Sequence, residues 1–433
     1  MEIRMMKFKF ILIIGLAFLF AAPTYAQKEA FFLGSASGVG GRALSMGSAY
    51  TAIADDYSAT FWNPAGLTQL RRMELFTSLS YLRYANDATF ADETNSDKTT
   101  KTKLNSIGFA FPIPTYRGSM VFAVGYNKIR NFDAGFLFDR YNTNLNVQQT
   151  YNEIEEGDLV NWVLAGATEL TPNMSVGVSF NLWRGEDDYT WDFLEQDTHN
   201  KYYYDNYTYN QQVFTKFQAS NFKLGALYKL GFLGRLAATI TTPVKITAKE
   251  KWNENISQIE DNDSPDEDYT DSNGGNWEYG LKSSWVFAAG AAFTLLPNIV
   301  LSADVEYNDW AQMRYTTEPP VGNDYSKNLN FKQNFRPTTT IRLGGEFTVP
   351  LLKTQLRAGL IRQPSPLLND SEKADRNYIT LGCGILLDKQ VKFDVAFVRG
   401  WWEKEGIYLS NDFSDINEKI VTDKIFATMS IRF

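Results

Sequence analysis

The chain has 433 residues, of which 42 are Lys or Arg and 50 are Asp or Glu. Its formal net charge is −8, and aromatic residues make up 15%. The acidic balance argues against a nucleic-acid partner, which needs a basic surface. The single cysteine, Cys383, excludes an internal disulfide. It lies in an alternating segment, where a thiol serves as a small apolar side chain.

At the N-terminus, Arg4, Lys7 and Lys9 precede an apolar run from Phe10 to Ala22, then Pro23-Thr24-Tyr25-Ala26. This is the pattern of a secretory signal peptide over 1–26, cut after Ala26. The run is too short for a membrane helix, which needs about 20 apolar residues.

Residues 27–72 do not alternate. Gly34, Gly38, Gly40 and Gly41 lie in a stretch without the spacing of a dinucleotide fingerprint or the Lys-Ser/Thr of a phosphate loop. Met46, Ala49, Tyr50 and Ile53 have helical spacing. Asp55 or Asp56 is placed to cap a short helix over Tyr57–Phe61. Asn63-Pro64-Ala65-Gly66 then breaks it.

From residue 73 onward one scheme repeats. Ile107, Phe109 and Phe111 alternate with Ser106, Gly108 and Ala110. Met120, Phe122, Val124 and Tyr126 alternate with Ala123, Gly125 and Asn127. Met174, Val176, Val178, Phe180 and Leu182 alternate with Ser175, Gly177, Ser179 and Asn181. Period 2 gives one apolar face and one small or polar face. Fourteen such segments centre near 79, 109, 124, 165, 178, 222, 240, 287, 304, 343, 358, 382, 395 and 427. Six connections are short, such as Thr171-Pro172-Asn173 and Leu296-Pro297-Asn298. Seven are long and polar, near 86–103, 130–158, 185–212, 249–276, 311–337, 364–376 and 402–421. Long and short alternate throughout. A soluble sandwich has no reason to sort its connections this way. An outer-membrane barrel does, with short periplasmic turns, long outer loops and an even strand number.

The expected fold class is therefore all-β: a 14-stranded antiparallel transmembrane β-barrel over 73–433, in the outer membrane of a Gram-negative bacterium. Residues 27–72 form a small helical hatch plugging a lumen too wide for side chains alone to fill.

The long connections suggest no chemistry. The acidic residues of 250–271 lack the EF-hand glycine and read as a solvated loop, with no metal. Tyr202, Tyr203, Tyr204, Tyr207 and Tyr209 read as an aromatic girdle at the lipid headgroups rather than as a ligand entrance. His199, the one histidine, lies in a loop, and no Gly-x-Ser-x-Gly motif accompanies it. Neither an enzyme nor a cofactor is expected.

Two stretches resemble a known family. Gly41-Arg42-Ala43-Leu44-Ser45-Met46-Gly47-Ser48-Ala49-Tyr50, running on to Asp55-Asp56, and Ala59-Thr60-Phe61-Trp62-Asn63-Pro64-Ala65-Gly66-Leu67 look like the hatch of FadL/TodX outer-membrane transporters. Leu301–Trp310 and Arg357–Arg362 are also similar. The resemblance implies transport of long-chain fatty acids or other hydrophobic compounds through an apolar lumenal pocket. It further implies hatch movement and lateral release into outer-membrane lipid. Asn63, Pro64, Ala65, Gly66 and Arg42 are then hatch or gating residues, and Gly125 is the candidate kink of a lateral gate or a space for hatch side chains. Arg42, Arg342 and Arg362 are possible partners for a ligand carboxylate. The C-terminal strand ending in Phe433 resembles the signal read by the barrel-assembly machinery. A second branch of the family, the PorV-like proteins, binds protein cargo in type IX secretion and is the alternative.

Overall fold

The computed structural model describes residues 38–90, 93–261, 268–318, 331–387, 390–406 and 416–433. The expected signal peptide, and the expected hatch up to residue 37, lie outside the described residues.

Fourteen strands form one closed antiparallel barrel. They are β1 (Glu74–Phe90), β2 (Glu93–Ile113), β3 (Met120–Asn131, resuming as Ala134–Asn142), β4 (Val147–Thr171) and β5 (Met174–Gln196). Next come β6 (Tyr204–Lys229), β7 (Gly234–Thr241, resuming as Lys245–Glu260), β8 (Tyr269–Lys282, resuming as Val286–Leu296) and β9 (Ile299–Asp309). The last five are β10 (Pro337–Val349), β11 (Thr354–Gln363), β12 (Arg376–Leu387), β13 (Val391–Gly406) and β14 (Ile416–Arg432). Closure comes from β1 pairing with β14, from Glu74↔Arg432 to Thr89↔Asn417. Each expected strand centre falls in its own strand.

The connections differ from expectation. Much of 86–103, 130–158, 185–212 and 249–276 is strand, not loop. β5 and β6 stay paired from Met174↔Tyr228 to Gln196↔Asn206. The physical reason is that above the membrane the outward face meets water instead of lipid, so the outward apolar residues give way to polar ones while the ladder continues. The wall is tall from β4 to β8 and low from β9 to β12.

The outward face carries the apolar band a lipid bilayer needs. Leu79 and Tyr81 on β1, Val178 and Leu182 on β5, Leu343 on β10 and Met429 on β14 are all exposed. Cys383 is exposed among them, opposite Leu356 and Val395. No helix among the described residues is long and apolar enough to cross a membrane.

Residues 38–70 lie inside the barrel, and Arg71 and Arg72 are exposed before β1. The inner segment forms α1 (Gly41–Ser45), α2 (Ala59–Trp62) and a 3-10 helix (Pro64–Gln69). The helical face expected over Met46–Ile53 is not a helix, because Gly47 and Ser48 take positive φ of 60° and 58° and end the run. Its four residues are fully or nearly buried all the same. Asn63 does more than break a helix: its Oδ1 accepts from the Ala65 N–H at 3.1 Å and caps the next turn.

Candidate transport site

The lumen is layered, and β6 records the layers. Its odd-numbered residues point inward: Gly225 against the N-terminal segment, Lys223 above it, Phe217 and Ala219 higher, Tyr209 near the top. At about 3.3 Å per residue this spans roughly 50 Å of strand.

The lowest layer is the N-terminal segment, seated on three cross-strand glycine pairs. Gly177 faces Gly225 on β5–β6. A Cβ on Gly225 would lie 2.0 Å from Asn63 Oδ1, and one on Gly177 would lie 2.5 Å from the Pro64 carbonyl carbon. Gly108 faces Gly125 on β2–β3, and both are covered by the Tyr57 ring. Gly344 faces Gly359 on β10–β11, against the Met46–Gly47 backbone. The Asn63 amide also donates to Thr51 O (2.9 Å) and to Ala226 O on β6 (3.2 Å).

Charges fix the same layer. Arg42 binds both oxygens of Glu346 on β10, at 2.8 and 2.9 Å, and Asp55 at 2.5 Å. Arg357 on β11 joins Glu346 (2.6 Å) to Asp394 on β13 (2.7 Å). Arg432 on β14 binds Glu74 at 2.5 Å, and Glu74 accepts from the Tyr57 N–H at 2.8 Å. Burial alone would raise the Asp55 carboxyl. Arg42 foremost, then Lys392, Arg235 and Arg432, outweigh that and hold it below the ordinary carboxylate range.

Between this layer and the wall lies a small cavity lined by Thr51, Phe61, Trp62, Lys223, Glu306 and Arg342, among others. Lys223 Nζ donates to Phe61 O at 2.5 Å. Arg342 meets Glu306 at 3.1 Å and lies over the Trp62 ring.

Above it is a small apolar cavity, the chamber, enclosed by a packed cluster of side chains. Phe217, Ala219, Ile246, Ala248, Tyr279 and Leu281 form its wall, and Trp310, Met313, Phe331 and Phe335 pack over it from the chain between β9 and β10. Trp310 is held by its indole N–H, which donates to Thr338 Oγ1 at 2.8 Å. Higher still, Phe138, Tyr151, Trp191, Phe193 and Tyr209 cluster on the inner face. The tyrosines expected as a lipid-facing girdle are therefore corrected in part. Tyr209 is buried in this lumenal cluster and Tyr207 packs against it. The strand's alternation puts them on the same face as Phe217.

Among the described residues the wall has a long interruption between β2 and β3 beside these layers. β2 pairs with β3 from Ile113↔Met120 up to Ser106↔Asn127, and no pair between them follows above. β3 itself breaks at Phe132-Asp133 and resumes paired only with β4. Side chains bridge the gap instead: Lys103 Nζ reaches Asp133 (2.7 Å), Asp158 (3.2 Å) and Asn131 Oδ1 (3.3 Å). Asn105 Oδ1 and Ser106 Oγ are buried here without a hydrogen-bond partner. A row of unpaired backbone in a membrane wall is costly unless it faces protein or a polar cavity.

The residues singled out in the sequence thus separate. Asn63, Pro64, Ala65, Gly66 and Arg42 are together in the lowest layer. Gly125 lies under Tyr57, within the unbroken part of β3. Arg342 lines the cavity. Arg362 is exposed and pairs with Asp375 at 3.0 Å, away from the lumen. His199 sits in the connection after β5, 3.1 Å from the Tyr141 hydroxyl. Among the described residues no cluster of acidic, His or Cys side chains could hold a metal ion. Sequence reasoning missed Tyr57, Lys103, Lys223, Glu346 and Asp394. The available signal was a charged or bulky polar residue at an inward phase of a strand, as with the register-paired Glu346 and Arg357.

A closed barrel with a lipid-facing apolar band and a filled lower lumen defines an outer-membrane β-barrel protein. Residues 19–426 match the profile of the outer membrane protein transport family (OMPP1/FadL/TodX), and the chain belongs to that family. It is similar to the toluene transporter TodX of Pseudomonas putida at 12% identity, covering 92% of this chain and 99% of that one, with a TM-score of 0.64. A Pseudomonas aeruginosa FadL homologue matches at 12% identity over 92% and 98%, with a TM-score of 0.63. The monoaromatic hydrocarbon channel CymD matches at 13% over 92% and 98%, with a TM-score of 0.55. No curated protein matches by sequence.

Proposed function

We propose that this protein takes long-chain fatty acids, or apolar molecules of similar length, into the chamber above the N-terminal segment and releases them sideways through the β2–β3 gap. The chamber carries the reading: Phe217, Ala219, Ile246 and Leu281 are apolar groups turned inward around a small cavity, above the charged layer of Arg42, Glu346 and Arg357. A fatty chain gains about 0.8 kcal/mol per buried CH₂, so release into the aqueous periplasm is strongly opposed and release into lipid is not. Residues 27–72 act as a hatch, with Asn63-Pro64-Ala65-Gly66 and Arg42 holding it. Lys223 and Arg342 are the cations placed to meet a carboxylate, in preference to Arg42, which two carboxylates already occupy. Gly125 contributes by making room for Tyr57 at the foot of the gap. The segment 1–26 directs export, and the strand ending in Phe433 engages the barrel-assembly machinery. No observation favours the cargo-binding alternative.

The test is uptake of labelled palmitate and of labelled toluene by a Gram-negative host lacking its own transporter. Saturable palmitate uptake that is abolished by Ala219→Trp, which fills the chamber, is the expected outcome. Equal uptake by the Trp variant, folded in the outer membrane, would remove the chamber from the route.

A further inference from the structure

We propose that the outer surface of β7, β8 and the short strand Arg314–Tyr315 binds the phosphate groups of the phosphorylated glycolipid that forms the outer leaflet. Lys282 is paired in register with Lys245 on one side and with Arg314 on the other. Their neighbours in sequence, Ile246, Leu281 and Tyr315, are buried in the chamber wall. Alternation therefore turns all three cations outward. Among the described residues none of the three has a carboxylate within ion-pair distance. Two rungs higher the pattern differs, because Lys249 pairs with Glu278 at 3.2 Å and Lys216 with Glu186 at 3.6 Å. The nearest acid on β9, Asp309, is occupied capping a turn, accepting from the Ala311 N–H and the Gln312 amide.

Like charges directly opposite across a ladder are destabilising. A row of three therefore calls for an anion. Its height says which one. Immediately below, Phe222, Ile240, Trp285 and Tyr307 are exposed and mark the top of the lipid-facing band. From the periplasmic turn at Gly234, Lys245 lies roughly 28 Å up a strand tilted by about 40°, one apolar band away. That is the level of outer-leaflet headgroups. Lys and Arg above aromatic side chains suit an amphiphile with apolar chains below and phosphates above.

The experiment measures binding of lipid A, bearing its phosphates, to the full-length protein in detergent. Dephosphorylated lipid A and inorganic phosphate are run in parallel. The variant Lys245→Gln/Lys282→Gln/Arg314→Gln is compared with Lys249→Gln/Glu278→Gln, and heat-modifiable electrophoretic mobility confirms a folded barrel in each. The expected result is binding of phosphorylated lipid A weakened about tenfold in the triple variant only, weakened also by salt, and not displaced by inorganic phosphate. Undiminished binding by the folded triple variant would overturn the proposal, as would equal binding of dephosphorylated lipid A. Full displacement by inorganic phosphate would reduce the site to one for free anions and overturn the lipid assignment.

Discussion

The lower and upper halves of the lumen are built on opposite principles. Below, the bare backbone of the wall meets the N-terminal segment: glycine pairs admit Asn63, Pro64, Met46 and Tyr57 so closely that a single methyl group would collide, and Arg42, Glu346 and Arg357 lock the fit. Above, the lumen presents side chains only, with Phe217, Tyr279 and Leu281 facing one another around an apolar chamber. A fit with no tolerance suits a plug, and a greasy surface without fixed partners suits a passing ligand. The difference teaches that shape seats the N-terminal segment in the lower lumen, while the upper lumen is held by apolar side-chain packing.

The largest expected effect comes from destroying the shape. Gly177→Leu combined with Gly225→Leu forces side chains into Asn63 and Pro64. Overpacking at this closeness costs roughly 3 kcal/mol or more, enough to unseat the hatch. The folded variant should open a steady ionic conductance in a planar bilayer, whereas the parent should not. A silent variant would mean that the glycine pairs do not seat the plug.

A smaller effect follows from Arg42→Ala. It strips the buried Glu346 of one of its two arginines and Asp55 of its nearest cation, and breaking a buried pair typically costs about 3–5 kcal/mol. Arg357 remains, so the loss should sit at the low end. The thermal unfolding temperature in detergent should fall. Adding Asp55→Asn to Arg42→Ala should recover part of it, because fewer charges are then left uncompensated. An unchanged Tm would show that the network contributes nothing.

The smallest effect is that of pH. The folded-state pKa of Asp55 is depressed, so its stabilisation is complete above the unfolded value of about 3.9 and is lost as pH falls through the lower folded value. Hatch-dependent conductance should therefore be constant between neutral pH and about pH 5 and rise only below about pH 4. Opening near neutrality would point to another titrating group.

Much of the fold was legible because lipid and wall impose period 2 on the outward face. Leu79, Val178, Leu343 and Met429 alternate for that reason, and so each of the fourteen expected centres fell in a strand. Where the wall rises above the membrane that constraint ends, and Tyr204–Gln212 on β6 looked like loop although it is strand. The N-terminal segment inside the barrel was visible as a stretch without alternation. Its internal geometry was not, because Gly47 and Ser48 break a helical spacing through their positive φ. The glycine pairs were illegible for a different reason. Gly108 and Gly125 become one surface only through the register of two strands, and no local signal carries register. The gap was hidden in the same way, since the loss of pairing above Ser106 and Asn127 is a property of β2 and β3 together.

The most direct test is to tie that gap shut. In a Cys383→Ser background, Lys103→Cys and Asp133→Cys replace a contact of 2.7 Å across β2 and β3, and a short bis-maleimide joins them in intact cells. The expected result is loss of palmitate uptake on crosslinking, with normal uptake by the same variant before treatment and by either single-cysteine variant after it. Undiminished uptake through the crosslinked barrel would contradict lateral release and put the exit elsewhere.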